Sequence, residues 1–383
     1  MALRGAETAR EAGRQGMRDP VRDPLRDVVR DAFMRELTLG GREGGDRGRE
    51  GGRAPLHDIS NKAAISSSMV EKSALQPANV RLTRQAAAKQ RALLQQLLQA
   101  EHKGEGEQMK VDLPLDALEM KDAVQCHHYV REIFAYLRQL ELQHRVSPHF
   151  MQSQRDINAT MRSILIDWLV EVAEEYRLVP ETLYLAVNYI DRFLAHVPVN
   201  RSRLQLVGVT CMLIASKFEE IHPPAVDEFV YISDNTYKRE EILHMEGMVL
   251  NRLEFELSVA TTRAFLNRFL NVARAGECDQ TTEKLCEYLC ELTLQEYAFV
   301  KYRPSEIAAA ALRMALHTMR LPSWSPMLQD VSGYAIEQLQ NCCVEMYAVF
   351  RKASTNNLQA VREKYAHAKF LCVATLSPPE TCV

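Results

Sequence analysis

The stretch from Leu204 to Ser216 (LQLVGVTCMLIAS) is apolar almost all round a helical wheel, and roughly 100 residues further on Ile307 to Leu316 (IAAAALRMAL) repeats that character with smaller side chains. A helix with an apolar surface on every side cannot lie on the outside of a soluble body. Each must be enclosed by other elements, so the chain needs two enclosing shells. Small residues such as Gly208, Ala215 and Ala308 to Ala311 allow neighbouring helices to approach closely.

The flanking sequence supplies those shells. From about Val124 onward the apolar periodicity is helical, and the two-residue alternation of strands is almost absent. The pattern predicts helices over 155–176, 182–194, 204–218 and 238–250, with Asp156 and Asn158 as caps before the first apolar residue. Pro180 and Pro223-Pro224 punctuate them. After Leu257 the scheme restarts, with helices over 261–271, 281–294, 304–318 and 332–351. The architecture read from this is all-α: two tandem helical repeats, each a central helix wrapped by four others.

Residues before this region differ in kind. Phe33 is the only aromatic residue before Tyr129, and 10 of the 16 glycines fall between Gly5 and Gly52. So few large apolar groups cannot offset the ordering entropy of about 1–2 kcal/mol per residue, so 1–123 reads as a disordered tail. Within it, Arg84 to Gln99 has a narrow leucine stripe that predicts an isolated helix. The tail to Lys103 carries a net charge of about +6, leaving about −9 for the rest of a chain whose formal total is −3. An acidic body disfavours nucleic acid as a partner. No apolar signal core or charge-free run of membrane-spanning length occurs, which reads as an intracellular, soluble chain.

Signatures of chemistry are missing. There is no glycine-rich loop followed by Lys-Ser/Thr, no GxSxG and no HExxH. The Gly40 to Gly52 run opens no helix and reads as a linker. The nine cysteines form no CxxC pair and sit mostly in apolar helical patterns. Cys286 and Cys290 share a helix face but lack further ligands, and His127-His128, His144 and His149 have no metal-ligand frame. The reading is a binding protein without a cofactor or metal.

Two places carry unusual side chains. On the wheel, Ile166, Leu169, Val170 and Ala173 form one apolar side, while Met161, Ile164, Leu165 and Trp168 form another with Glu171 and Glu175 beside it. Two readings are open: a wide buried face with the glutamates at its rim, or an exposed apolar groove with an acidic edge, which we favour because an unpaired buried charge is costly. Such a groove suits a short peptide offering a leucine and a cation. The second place is Lys217, ending a long buried helix, which Glu246 could pair with across helices. A cation at a helix C-terminus is favourable by itself, so the residue alone implies nothing further.

These residues also carry a resemblance. Met161–Val172 (MRSILIDWLVEV), Leu183–Leu194 (LYLAVNYIDRFL), Leu213–Ile221 (LIASKFEEI) and Tyr231–Tyr237 (YISDNTY) resemble a mitotic cyclin, and Val361–Tyr365 with Ser377–Glu380 resemble A-type members. The resemblance runs from about Cys126 to the end. It implies a tail over 1–123, an N-terminal helix and first cyclin box over 124–257, and a second five-helix box with an extension over 258–383. It also implies a regulatory subunit, not an enzyme, that activates a cyclin-dependent kinase, controls cell-cycle progression and is found in the nucleus and partly in the cytoplasm. Lys217 and Glu246 would hold the kinase's regulatory helix, with Phe218, Ile221, Leu250, Phe255 and Leu257 in apolar contact and Glu219 and Glu220 beside them. Tyr129, Ile133 and Tyr136 would embrace the kinase's C-terminal lobe. Arg-x-Leu substrates and inhibitors would dock on Met161, Ile164, Leu165, Trp168, Arg201, Leu204 and Gln205, with Glu171, Glu175 and Asp234 as acids. Ser163 replaces a common alanine and by the wheel points away from that groove. Arg53, Leu56 and Asn61 resemble a destruction box read by a ubiquitin ligase, with Lys62, Lys72 and Lys89 as acceptors. A rival is a transcription factor of the same double fold contacting DNA or polymerase, for which Lys/Arg clustered on the second repeat and often an N-terminal zinc ribbon would be expected; the acidic core and the absence of a cysteine before Cys126 disfavour it.

Overall fold

The computed structural model describes residues 129–274, 278–322 and 324–382, and its described residues form twelve α-helices with no strand. The tail, including the destruction-box-like residues, the helix read over 84–99 and His127-His128, lies outside them. After α1 (Val130–Gln143) come five helices, α2 (Ala159–Glu175), α3 (Pro180–Leu194), α4 (Arg201–Glu219), α5 (Val226–Ile232) and α6 (Arg239–Arg252). Five more follow, α7 (Thr262–Arg274), α8 (Gln280–Gln295), α9 (Pro304–Thr318), α10 (Pro326–Ser332) and α11 (Ile336–Lys352), and then α12 (Ala360–Ala366). The central helices are α4 and α9. Along α4 every residue from Leu206 to Ser216 is buried, and along α9 every one from Ile307 to Leu316. Close approach is real at Gly208, where a Cβ would lie 2.6 Å from Leu165 Cδ1.

Local chemistry explains the boundaries. Asn158 is extended, and its Oδ1 accepts from Met161 N at 2.9 Å, so α2 starts at Ala159 and not at Arg155. Asp156 serves elsewhere. Its carboxylate accepts from Arg201 N at 2.9 Å and Arg201 Nε at 2.8 Å, joining the approach to α2 with the first turn of α4. Pro180 opens α3, where a missing N–H costs nothing. Ser332 ends α10 instead of beginning the last long helix, because Gly333 at φ +68° turns the chain left-handed there.

The helix α1 packs on the second repeat. Phe134, Arg138 and Glu141 share one face of α1. The Arg138 guanidinium donates to Ser305 Oγ at 2.7 Å, Tyr334 OH at 3.2 Å and the Ser332 carbonyl. Glu141 accepts from Ser305 N at 3.1 Å, supplying the cap that α9 lacks from its own N-cap residue.

The two repeats are bolted together through α2. Buried Arg162 forks onto Asp191 at 2.6 and 2.7 Å and gives its remaining nitrogen to the Leu294 carbonyl at 3.0 Å. Ser163 Oγ donates to the Gln295 carbonyl at 2.5 Å, and Gln295 Nε2 donates to Asp167 at 2.5 Å. The short α12 seals the seam: Ala360 N donates to Asp167 at 3.0 Å, while Lys364 reaches Glu291 at 2.9 Å and Glu174 at 3.3 Å.

Candidate functional site

The helix α4 outlasts the core that encloses it. Ser216 is buried and the next three residues, Lys217, Phe218 and Glu219, are exposed. Lys217 Nζ meets Glu246 Oε1 of α6 at 2.6 Å, with the lysine side chain 43% accessible. An ion pair this exposed adds about 0–1 kcal/mol to stability, so its position on the surface calls for another purpose. Apolar groups surround it on the chain: Phe218 is exposed, Ile221 is 90% exposed and Phe255 is 62% exposed, while Leu250 and Leu257 are half-buried.

Phe255 is held outward by its backbone. Glu254 and Phe255 adopt φ of +54° and +58°, a left-handed pair that costs on the order of 1–3 kcal/mol per residue. Three bonds hold the turn: Phe255 N donates to the Leu250 carbonyl at 3.0 Å, Arg192 Nη1 to the Glu256 carbonyl at 2.7 Å, and Tyr189 OH to the Leu257 carbonyl at 2.8 Å. His144 at the end of α1 lies 3.6 Å from the Glu256 carboxylate, linking α1 to the same turn. Burial, assisted by Arg192, holds the His144 imidazole below its ordinary pKa. Tyr129, Ile133 and Tyr136 are exposed on the side of α1 away from Phe134 and Arg138. Lys217 and Glu246 thus meet at the surface with exposed Phe218 and Ile221 next along the chain, and Phe255 stands exposed in the turn after α6, to which His144 at the end of α1 is tied.

Glu220 does not join that surface. Its carboxylate turns back to accept from Val179 N at 2.8 Å and Thr182 Oγ1 at 2.6 Å, capping α3, whose own N-cap residue Val179 has no side-chain acceptor. Glu219 remains exposed, its carboxyl raised above the usual range by partial burial and by Glu220.

The exposed groove expected on α2 is largely corrected. Met161 is 2% exposed, Ile164 8%, and Leu165 and Leu204 0%. The wheel treats α2 as touching one neighbour, whereas α4 covers Leu165 and α8 and α12 cover the opposite side. The wide buried face is therefore the better description. Of the expected docking residues, Trp168, Gln205 and Arg201 are half-buried, and Glu175 and Asp234 are exposed. Arg201 pairs with Asp156 at 2.8 Å. Glu171 is half-buried, and burial, with Asp167 and Glu363 nearby, pushes its carboxyl up to about 7. Asp167 is pushed up to about 6 by burial against the opposing bonds from Ala360 and Gln295. Ser163 does point away from this face, into the seam with the second repeat.

Sequence reasoning assigned no role to Tyr189 or Arg192, which fix the Phe255 turn. Their signal is the charged Asp191-Arg192 pair inside an otherwise apolar helix, a sign that polar partners lie within the fold. Cys286 and Cys290 are fully buried, and burial raises both thiols. Among the described residues no cluster of His, Cys, Asp and Glu could hold a metal, and no helix is long and apolar enough to cross a membrane.

Two tandem five-helix boxes, with an ion pair at the surface end of the first central helix, define a double helical-box scaffold. Family models agree in place: the cyclin N-terminal domain matches residues 132–258 and the cyclin C-terminal domain residues 260–379. The chain is 50% identical over 253 residues to a G2/mitotic-specific cyclin-A of Hydra viridissima, covering 66% of this chain and 60% of the relative. It is 47% identical over 259 residues to cyclin-A1 of Homo sapiens, covering 67% and 55%. To a putative cyclin-A3-1 of Arabidopsis thaliana it is 46% identical over 260 residues, covering 67% and 73%. The chain belongs to the cyclin family and groups with its A-type members. Its match spans about three-fifths of the length of the first two relatives.

Proposed function

We propose that the chain is a regulatory subunit that binds and activates a cyclin-dependent serine/threonine kinase. The observation that carries this is the exposed Lys217–Glu246 pair at 2.6 Å, flanked by Phe218, Ile221 and Phe255. A helix of a partner laid on this surface finds apolar contacts and an ion pair that is already oriented. Kinase activity requires an internal Lys–Glu pair carried by the kinase's regulatory helix, so holding that helix inward selects the active state. Tyr129, Ile133 and Tyr136 supply the second contact, to the kinase's C-terminal lobe.

The subunit also brings Arg-x-Leu substrates and inhibitors to the kinase, in a role that includes passage through S phase and G2/M. The docking face consists of Trp168 and Gln205 with Glu175 and Asp234 as acids. Seating one leucine contributes about 1.5–3 kcal/mol, so its value lies in effective concentration. A ubiquitin ligase reads Arg53, Leu56 and Asn61 in the tail, and the protein works in the nucleus and partly in the cytoplasm.

The test is a double variant, Lys217→Ala with Glu246→Ala, assayed with a purified cyclin-dependent kinase. Activation is expected to fall more than about tenfold, a loss of about 1.4 kcal/mol or more, with the circular dichroism spectrum unchanged. Unaltered activation would remove this surface from the interface. Trp168→Ala separates the docking role: it should slow an Arg-x-Leu substrate far more than a short peptide without the motif.

A further inference from the structure

Three Ser-Pro steps occur in the chain, at Ser147, Ser325 and Ser377. The fold treats them differently. Ser325 Oγ accepts from Leu328 N at 3.2 Å as the N-cap of α10. Ser147 Oγ accepts from His149 N at 3.3 Å inside a turn, where the Ser147 carbonyl also takes Phe150 N at 3.1 Å. Ser377 is exposed on non-helical backbone, and its hydroxyl makes no hydrogen bond among the described residues.

The residues that follow Ser377 are latched to the second box. Tyr347 OH of α11 donates to the carbonyls of Pro379 at 2.8 Å and Glu380 at 3.1 Å, and His317 Nε2 of α9 lies 3.2 Å from the Thr381 carbonyl. The latch has a meaningful address. Buried Leu339, Cys342, Met346 and Phe350 repeat the spacing of buried Ile242, Met245, Val249 and Leu253, which aligns Tyr347 with Leu250. His317 sits in the last turn of α9 as Lys217 sits in the last turn of α4. The segment therefore covers the second box's counterpart of the Lys217–Glu246 surface.

We infer that Ser377 is a phosphoacceptor for a proline-directed serine/threonine kinase, and that its phosphate releases residues 376–382 from α9 and α11. Ser377 Oγ attacks the γ-phosphorus of a nucleoside triphosphate. The new O–P bond forms as the bond to the β,γ-bridging oxygen breaks, the nucleoside diphosphate leaves, and the hydroxyl proton passes to the kinase's base. Ser147 is exposed as well, so accessibility does not separate it from Ser377; what does is that Ser147 Oγ and Ser325 Oγ each accept a backbone N–H, from His149 and from Leu328, and are held in their local turns by it, whereas Ser377 Oγ has no such bond among the described residues. The phosphate brings about −1.5 to −2 charges near neutral pH, three residues from Glu380. The latch itself consists of bonds to neutral carbonyls, and among the described residues no ion pair fastens 376–382 to a cation. Repulsion between the phosphate and the Glu380 carboxylate therefore acts against a segment held only by these neutral bonds.

The test treats the full chain with a proline-directed kinase and ATP, maps the phosphate by mass spectrometry, and measures alkylation of half-buried Cys382 by a maleimide. The expected result is one phosphate on Ser377, absent in Ser377→Ala, with Ser147 and Ser325 unmodified and Cys382 labelled about tenfold faster after phosphorylation. Tyr347→Phe without phosphate should also speed that labelling. Phosphate on Ser147 or Ser325 instead, or none on Ser377, overturns the assignment. Unchanged labelling overturns the release. So does slower labelling, which would mean that Arg351, stacked 5.7 Å over the Tyr347 ring, captures the phosphate.

Discussion

At the scale of single residues, two positions decide how α2 behaves. Gly208 has no room for a methyl group, because Leu165, which a Cβ would strike at 2.6 Å, is itself fully buried and cannot move aside. Gly208→Ala should lower stability by about 1–3 kcal/mol, read as a lower urea midpoint at unchanged slope. Glu171 gives a pH signature. Its folded-state pKa of about 7 lies above the unfolded value, so its contribution to stability is full below about pH 4.5 and is lost as pH rises through 7. Glu171→Gln should match the parent near pH 4 and exceed it at pH 8 by roughly 1 kcal/mol, after allowance for solvent screening. Denaturation at the two pH values checks the sign.

At the scale of elements, caps drawn from elsewhere in the chain set where helices start. The Asn158 cap is local and was legible in the sequence as an asparagine ahead of an apolar run. Asn158→Ala should cost about 1 kcal/mol, measured by thermal denaturation. The caps supplied by Glu220 to α3 and by Glu141 to α9 join residues 38 and 164 positions apart, and no local pattern reveals them. The same limit explains α5, α10 and α12. Each spans seven residues, too few turns to establish a period, and each forms because a larger surface is waiting for it.

For the whole molecule, the seam through α2 makes the two boxes one body. With Arg162, Lys364 on α12 is a buried cation of this seam, 6% accessible and shared between Glu291 of α8 and Glu174 of α2. Burial opposes its charge, but the two glutamates prevail and raise its pKa. Lys364→Met should destabilise by about 3–5 kcal/mol, because Glu291, 2% accessible, would be left buried without its ammonium partner. Hydrogen exchange should then show α12 opening before the boxes. Such a rigid seam fixes α1, on the second box, relative to Lys217, on the first, which is the constant spacing that the proposed two-point grip on a kinase would need.

By itself the sequence determined the all-helical class, the two central helices and the duplication, because a helix apolar on all sides has only one kind of environment. It also singled out Lys217 and Glu246, since ions next to a buried run are conspicuous in any window. Only the tertiary structure decided how α2 is covered. A helical wheel reports which side chains share a face but not how many neighbours press on the helix, and here α4 packs on the Leu165 side of α2 while α8 and α12 pack on its Arg162, Ser163 and Asp167 side. The same holds for the outward turn at Phe255 and for the latch over the second box: both are fixed by hydrogen bonds between residues remote in the chain.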